Sequence, residues 1–328
     1  MKSLPIIAAS SAILLSACGG GDGVMTTRTF AADTPTPALA LAEGKTLTAQ
    51  AGQTAAMKTD FENATTSIKE SVVSISKNAG GELSLTVNGE TYDFDAADRQ
   101  LESDGTTSYY YQVSGEEDED GNPRYFVLSS YNSSINDVVN GNSTDVVYLM
   151  DYMDIKDDVT VGESVGERGY FVVGSETQAA ALGEFTTKSY AGRLRGHAYD
   201  AEGFSTTQTR TEFRSDDVTL TANFEENIIS GTAGNILIRQ RVRGEATPDF
   251  ASVDGEFLFQ DGTIQGADFA GTFSSDDTFN SNLGTESIDA SFSGSFFGTD
   301  GEAVGGVVKG SVTDAEGAAT IVGAFTAD

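Results

Sequence analysis

The chain has 328 residues, with 50 acidic against 19 basic side chains, a formal net charge of −31, one cysteine, one histidine and no tryptophan. Such an excess of negative charge opposes general nucleic-acid binding and electrostatic adhesion to anionic lipid. A single cysteine permits no internal disulfide, and one cysteine with one histidine excludes a Cys/His zinc site and any Ser-His triad away from His197.

Met1-Lys2-Ser3 carries one positive side chain, and an apolar stretch follows from Leu4 to Leu15. That stretch is too short to span a bilayer as a helix. With small residues behind it, it reads as a secretory signal peptide. Leu15-Ser16-Ala17-Cys18 then resembles the lipobox of bacterial lipoproteins. The resemblance implies cleavage before Cys18 and a diacylglycerol on its thiol. Residues 1–17 are therefore expected to be the signal peptide, and Cys18 the lipidation site. Several acyl chains hold a protein on a membrane where one does not. Gly19 stands where an Asp would mark retention at the inner membrane, so the sorting rules of lipoproteins imply the outer one.

Residues 18–71 read as a lipidated flexible tether. Gly19-Gly20-Gly21, Thr34-Pro35-Thr36-Pro37 and an Ala/Thr/Gln-rich run bury too little apolar surface to offset the entropy of ordering. Part of this segment, near residues 55–72, is expected to form a short helix.

From residue 72 the pattern turns to period two. Leu83, Leu85 and Val87 alternate with polar residues, Asn88-Gly89 predicts a hairpin turn, and Tyr92 and Phe94 resume the alternation. Tyr109–Val113 and Tyr125–Leu128 predict partner strands across an acidic loop, Glu116–Asn122. Val146–Tyr152 and Tyr170–Val173 follow, so residues 72–183 form a first, smaller β-rich domain. Its tyrosines read mostly as core or sheet-pairing residues, with some at loop edges as contact residues.

Residues 184–328 hold more regular, glycine-rich strands: Tyr190–Tyr199, Val218–Phe224, Ile228–Ala233, Asn235–Arg243, Ala251–Phe259, Gly266–Phe273, Ile288–Phe296, Gly305–Thr313 and Ala319–Phe325. Eight or nine short antiparallel strands predict a closed eight-stranded up-and-down β-barrel filled by side chains. Closure removes exposed edges, and Gly271, Gly294, Gly306 and Gly310 relieve crowding where strands coil. The fold class is all-β.

Several segments of this half resemble one family. Gly255-Glu256-Phe257, Gly266-Ala267-Asp268-Phe269-Ala270-Gly271, Ser295-Phe296-Phe297-Gly298, Glu302-Ala303-Val304-Gly305-Gly306 and Gly323-Ala324-Phe325 are similar to the barrel domain of transferrin-binding protein B-like surface lipoproteins. Upstream, Tyr170-Phe171-Val172-Val173-Gly174 is similar to the passage from that family's handle into its barrel. The resemblance implies a single handle-plus-barrel lobe, in which residues 72–183 are handle-like, together with lipidation and surface display. The receptors carry two lobes, and their aromatic-basic loops match no positions here. Transferrin is therefore not implied as the ligand.

Three constellations carry candidate chemistry. Arg193, Arg195 and His197 alternate along one strand, and Arg239, Arg241 and Arg243 along another, so each set shares a face. Leu194, Ile236, Ile238 and Val242 occupy the opposite faces, which points the arginines outward. They read either as solvated positions balanced by neighbouring Glu and Asp, or as a docking patch for an acidic partner or anionic ligand. Glu116–Asn122 contains Asp-x-Asp-Gly-Asn, a carboxylate cluster of calcium-binding type, but the usual distal Glu is replaced by Ser129, which favours a solvated loop. Only His197 and the tyrosines offer ligands to haem iron. No catalytic constellation and no cofactor motif stands out.

The expected function is thus non-catalytic: an outer-membrane, lipid-anchored, cell-surface protein that binds a nutrient, iron- or haem-related, or a host or carrier protein. An outer-membrane transporter is the expected acceptor, and no nucleic acid is expected as a partner. The alternative is an adhesin or an envelope lipoprotein with a structural role.

Overall fold

The structure is a computed structural model and describes residues 45–60, 65–69, 71–77, 83–95, 99–101, 109–114, 124–132, 138, 143, 145–158, 162–200, 209–242, 248–314 and 317–328. All of them fall in one unit spanning residues 32–328.

Two sheets precede the barrel. One has four strands in the order β1 (Thr46–Ala49), β4 (Val73–Lys77), β5 (Leu83–Val87), β6 (Glu90–Asp93). Asn88 and Gly89, with φ of 52° and 90°, turn β5 into β6. A two-residue hairpin needs such left-handed residues. The other sheet has seven strands, ordered β3 (Thr65–Lys69), β2 (Thr54–Asp60), β11 (Gly162–Gly174), β10 (Val147–Asp158), β9 (Arg124–Ser130), β8 (Tyr109–Ser114), β7 (Arg99–Leu101). The two sheets share one core, in which Leu47, Ile75 and Leu85 meet Phe126, Tyr148 and Phe171.

The segment expected to be tether supplies β1, β2 and β3, and residues 54–60 and 65–69 form strands where a short helix was expected. For β2 the reason is double burial around Ala55–Met57. Ala56 faces the handle core, while Ala55 and Met57 face the barrel. A strand covered on both sides shows no alternation, and small residues give little hydrophobic signal.

The barrel closes with eight antiparallel strands: β12 (Thr187–Asp200), β13 (Thr209–Asn223), β14 (Ile228–Gly234), β17 (Phe257–Gln265), β18 (Asp268–Ser275), β19 (Thr285–Phe297), β20 (Ala303–Asp314) and β21 (Gly317–Ala327), with β21 returning to β12. The strand expected from Asn235 lies outside the ring. It is β15 (Ile236–Val242), which pairs with the first half of β13 and carries β16 (Ala251–Val253) as a hairpin. The run Ala251–Phe259 is likewise two strands, parted near Gly255 at φ 113°.

Phenylalanines fill the barrel. The Phe259 ring stands 5.1 Å from Phe273, 5.3 Å from Phe292 and 5.0 Å from Phe325, each edge-on. Edge-to-face contact suits the quadrupole of an aromatic ring. Room comes from glycine. A Cβ on Gly196 would lie 2.1 Å from the Phe213 ring. The short helix Asp277–Leu283, capped by the Asp276 carboxylate accepting from Phe279 N at 2.7 Å, adds Phe279 to the same core.

Candidate functional site

The handle lies against the outer face of the barrel. Met57, Leu149, Tyr170 and Val172 pack on Phe297, Val307, Val322 and Ala324 in a third buried cluster. Phe296 and Phe297 are both fully buried, on opposite faces of β19, with Phe296 in the barrel core and Phe297 under the handle. This gives the paired aromatics of the Phe-Phe-Gly segment a physical reason. Gly174 admits the second ring, since a Cβ there would sit 2.4 Å from it.

The chain leaving the handle is stitched to the barrel. Thr177 N donates to Phe296 O at 2.9 Å and Gly298 N donates to Ser175 O at 2.7 Å. Gln53 Nε2 donates to Glu176 Oε1 at 2.6 Å and to Ser295 Oγ at 2.8 Å. Ser293 Oγ donates to Gly52 O at 3.0 Å.

A buried polar chain crosses the same junction. On the handle, Arg168 donates to Asp151, and the two side chains are 6% and 0% exposed. Tyr170 from β11 hydrogen-bonds His197 Nδ1 on β12. His197 Nε2 lies 3.7 Å from Glu212 Oε2 on β13, and that oxygen accepts from Arg239 Nε and Nη2 on β15, both at 2.7 Å. Asp151 Oδ1, Arg168 Nε and Tyr199 Oη have no hydrogen-bond partner among the described residues. Burial opposes ionisation of Glu212, but the neighbouring His197, Arg168 and Arg239 hold its carboxyl well below the usual range. Burial first, then Asp151, pushes the Tyr131 hydroxyl far up. Burial also raises Tyr170, against the pull of Arg168. Arg168 itself loses solvation yet stays well above its ordinary value beside Tyr170 and Asp151. These two tyrosines are therefore neutral, and Arg168 keeps its charge.

The arginines singled out in the sequence divide by position. Leu194, Ile236 and Ile238 are buried inside, so their neighbours face out. Arg193 Nη1 donates to Tyr131 O at 2.6 Å, at the edge of the handle. Arg195 donates to Leu194 O and Ser215 O, both at 2.9 Å, and to Asp216 at 2.6 Å. Burial raises the Asp216 carboxyl, but Arg195 wins and lowers it. His197 is buried beneath Tyr170, and Arg239 is held by Glu212. Arg241 pairs in register with Arg210, its side chain outside the described residues. Arg243, Cys18 and the acidic loop Glu116–Asn122 also lie outside them.

Sequence reasoning missed Glu212, Arg214 and Phe250. The polar alternation of β13 before Val218 has no apolar stripe of its own, so the strand reads too short. Arg214 Cζ lies 3.8 Å and Arg239 Cζ 4.3 Å from the Phe250 ring centre. A cleft of about 550 Å³ opens between handle and barrel, lined by Asn132, Asp145 and Val147 on one side and Arg193, Asp216 and Glu302 on the other. Among the described residues, no cluster of three or more His, Cys, Asp or Glu is arranged to hold a metal, and no helix is long and apolar enough to cross a membrane.

No protein-family model and no curated protein matches the chain. Solved structures do. Intact Ap-TbpB, with its N and C lobes, matches at 15% identity and a TM-score of 0.44, over 84% of this chain and 46% of that one. A double mutant of transferrin binding protein B from Haemophilus parasuis Hp5 matches at 12% identity and 0.40, over 90% and 78%. The isotype 1 protein from serogroup B Neisseria meningitidis matches at 13% and 0.36, over 80% and 52%. The chain thus spans less than half the length of intact Ap-TbpB. These are structures of transferrin-binding protein B, the family whose barrel segments the sequence resembles.

Proposed function

We propose that the chain is a non-catalytic, lipid-anchored ligand-binding protein of the outer-membrane surface, tethered through Cys18, and that its ligand is a carrier or host protein rather than a small solute. The filled barrel carries this reading. Phe257, Phe259, Phe269, Phe273, Phe292, Phe296 and Phe325 occupy the interior where a solute would sit. Recognition is thereby left to the outer face, the loops and the handle. The buried setting of His197, bonded to Tyr170, argues against haem ligation at that residue. A protein cargo also suits hand-over to a transporter, since outward-facing surfaces exchange partners without unfolding the barrel.

The test is lipidation and fractionation. Cells fed labelled palmitate are expected to label the wild-type chain, which then sediments with outer membranes. Cys18→Ala should lose the label and leave the membrane fraction. An unlabelled wild-type chain would remove the anchor from the account.

A further inference from the structure

Seven of the chain's eleven arginines lie between residues 193 and 243, on or beside β12, β13 and β15. In a chain of net charge −31 this is a local reversal of sign. The register deepens it, because Arg195 stands opposite Arg214. Like charges directly opposite destabilise a sheet, so this sector calls for anions. Asp216 answers Arg195, and Glu212 answers Arg239. Among the described residues, the buried Nε of Arg214 has no acceptor. Its guanidinium is stacked on Phe250 at 3.8 Å, on a ring that Arg239 also approaches at 4.3 Å. Stacking fixes the plane of a guanidinium while leaving its in-plane N–H groups to receive a carboxylate side-on.

We propose that Arg214, stacked on Phe250 and flanked by Arg195 and Arg239, anchors a docking surface for an acidic segment of a partner protein. This rests on the ligand-capture reading above and narrows its partner by charge. An arginine cluster with one member held ready is the usual chemistry for acidic motifs. A partner carboxylate would meet the Nη groups of the stacked Arg214 guanidinium, while Arg195 and Arg239 steer the approach.

The experiment titrates a fluorescein-labelled oligoglutamate peptide with the purified lipidated chain in neutral detergent and follows anisotropy. Saturable binding that weakens with salt is expected. Arg214→Gln should weaken it about tenfold, and Arg214→Lys should recover only part, since lysine keeps the charge but not the planar fork. Lys188→Gln, a charge change elsewhere on the barrel, should leave binding unchanged. Melting by circular dichroism reports that each variant is folded. Absence of saturable binding, an unchanged Arg214→Gln, or an equal loss in Lys188→Gln overturns the docking surface. Lipidation and surface exposure are read on cells, so their failure would be seen separately.

Discussion

Phe297 and Gly174 show how much a single position carries at the junction. The ring fills space that a Cβ on Gly174 would occupy, 2.4 Å away. Phe297→Ala is expected to cost about 3–5 kcal/mol, measured by denaturant unfolding. Gly174→Val should destabilise through the same contact. Glu212 sets a pH signature. Its folded carboxyl lies well below its ordinary value of 4.5. A group lowered on folding adds stability that is fully present above its unfolded value and is lost as pH falls through the folded one. Glu212→Gln should therefore be less stable than wild type near neutral pH by about 2 kcal/mol. The gap should close progressively below pH 4.5. A gap that stays constant through the acid range would contradict the ionised assignment. Asp151→Ala leaves Arg168 buried without its carboxylate, and a loss of about 3–5 kcal/mol is expected. Removing both partners together should cost less than the two single losses summed.

At the scale of elements, legibility follows how many faces each strand exposes. The hairpin at Asn88-Gly89 and the barrel strands β17 to β19 were plain because one face is apolar and the other wet, as in the alternating burial of the first part of β19. β2 escaped notice because both faces are covered and its residues are small. The first half of β13 escaped because its outward face is Glu212 and Arg214, and its partner β15 lies off the ring. The outward direction of Arg193, Arg195 and Arg239 was readable from their apolar neighbours. Their partners were not, since Glu212, Asp216 and the Tyr131 carbonyl meet them only through tertiary pairing. Phe250 belongs to no periodic run, and only the folded hairpin brings it to Arg214. β15 and β16 hang on β13 alone. Hydrogen exchange there is expected to be faster than in β19 to β21, which are paired on both sides.

At the scale of the molecule, the buried cluster shared by handle and barrel, the Gln53 bonds and the Tyr170–His197 contact all cross one junction. Such an interface couples the two parts. A single unfolding transition, coincident by tyrosine fluorescence and far-ultraviolet circular dichroism, is expected. Gln53→Ala should lower its midpoint and, by weakening the seam, begin to separate the two probes. An architecture of this kind presents loops, handle edge and the β12–β13–β15 face outward, with its aromatic mass kept inside. The proposed function requires that surface to face the medium. Protease shaving of intact cells, with mass spectrometry of the released peptides and a Cys18→Ala control, tests this directly. The account predicts release of peptides from residues 72–328 while the outer membrane is whole, and loss of that surface-bound pool in the variant. Peptides that appear only after the outer membrane is broken would place the lobe in the periplasm and contradict the account.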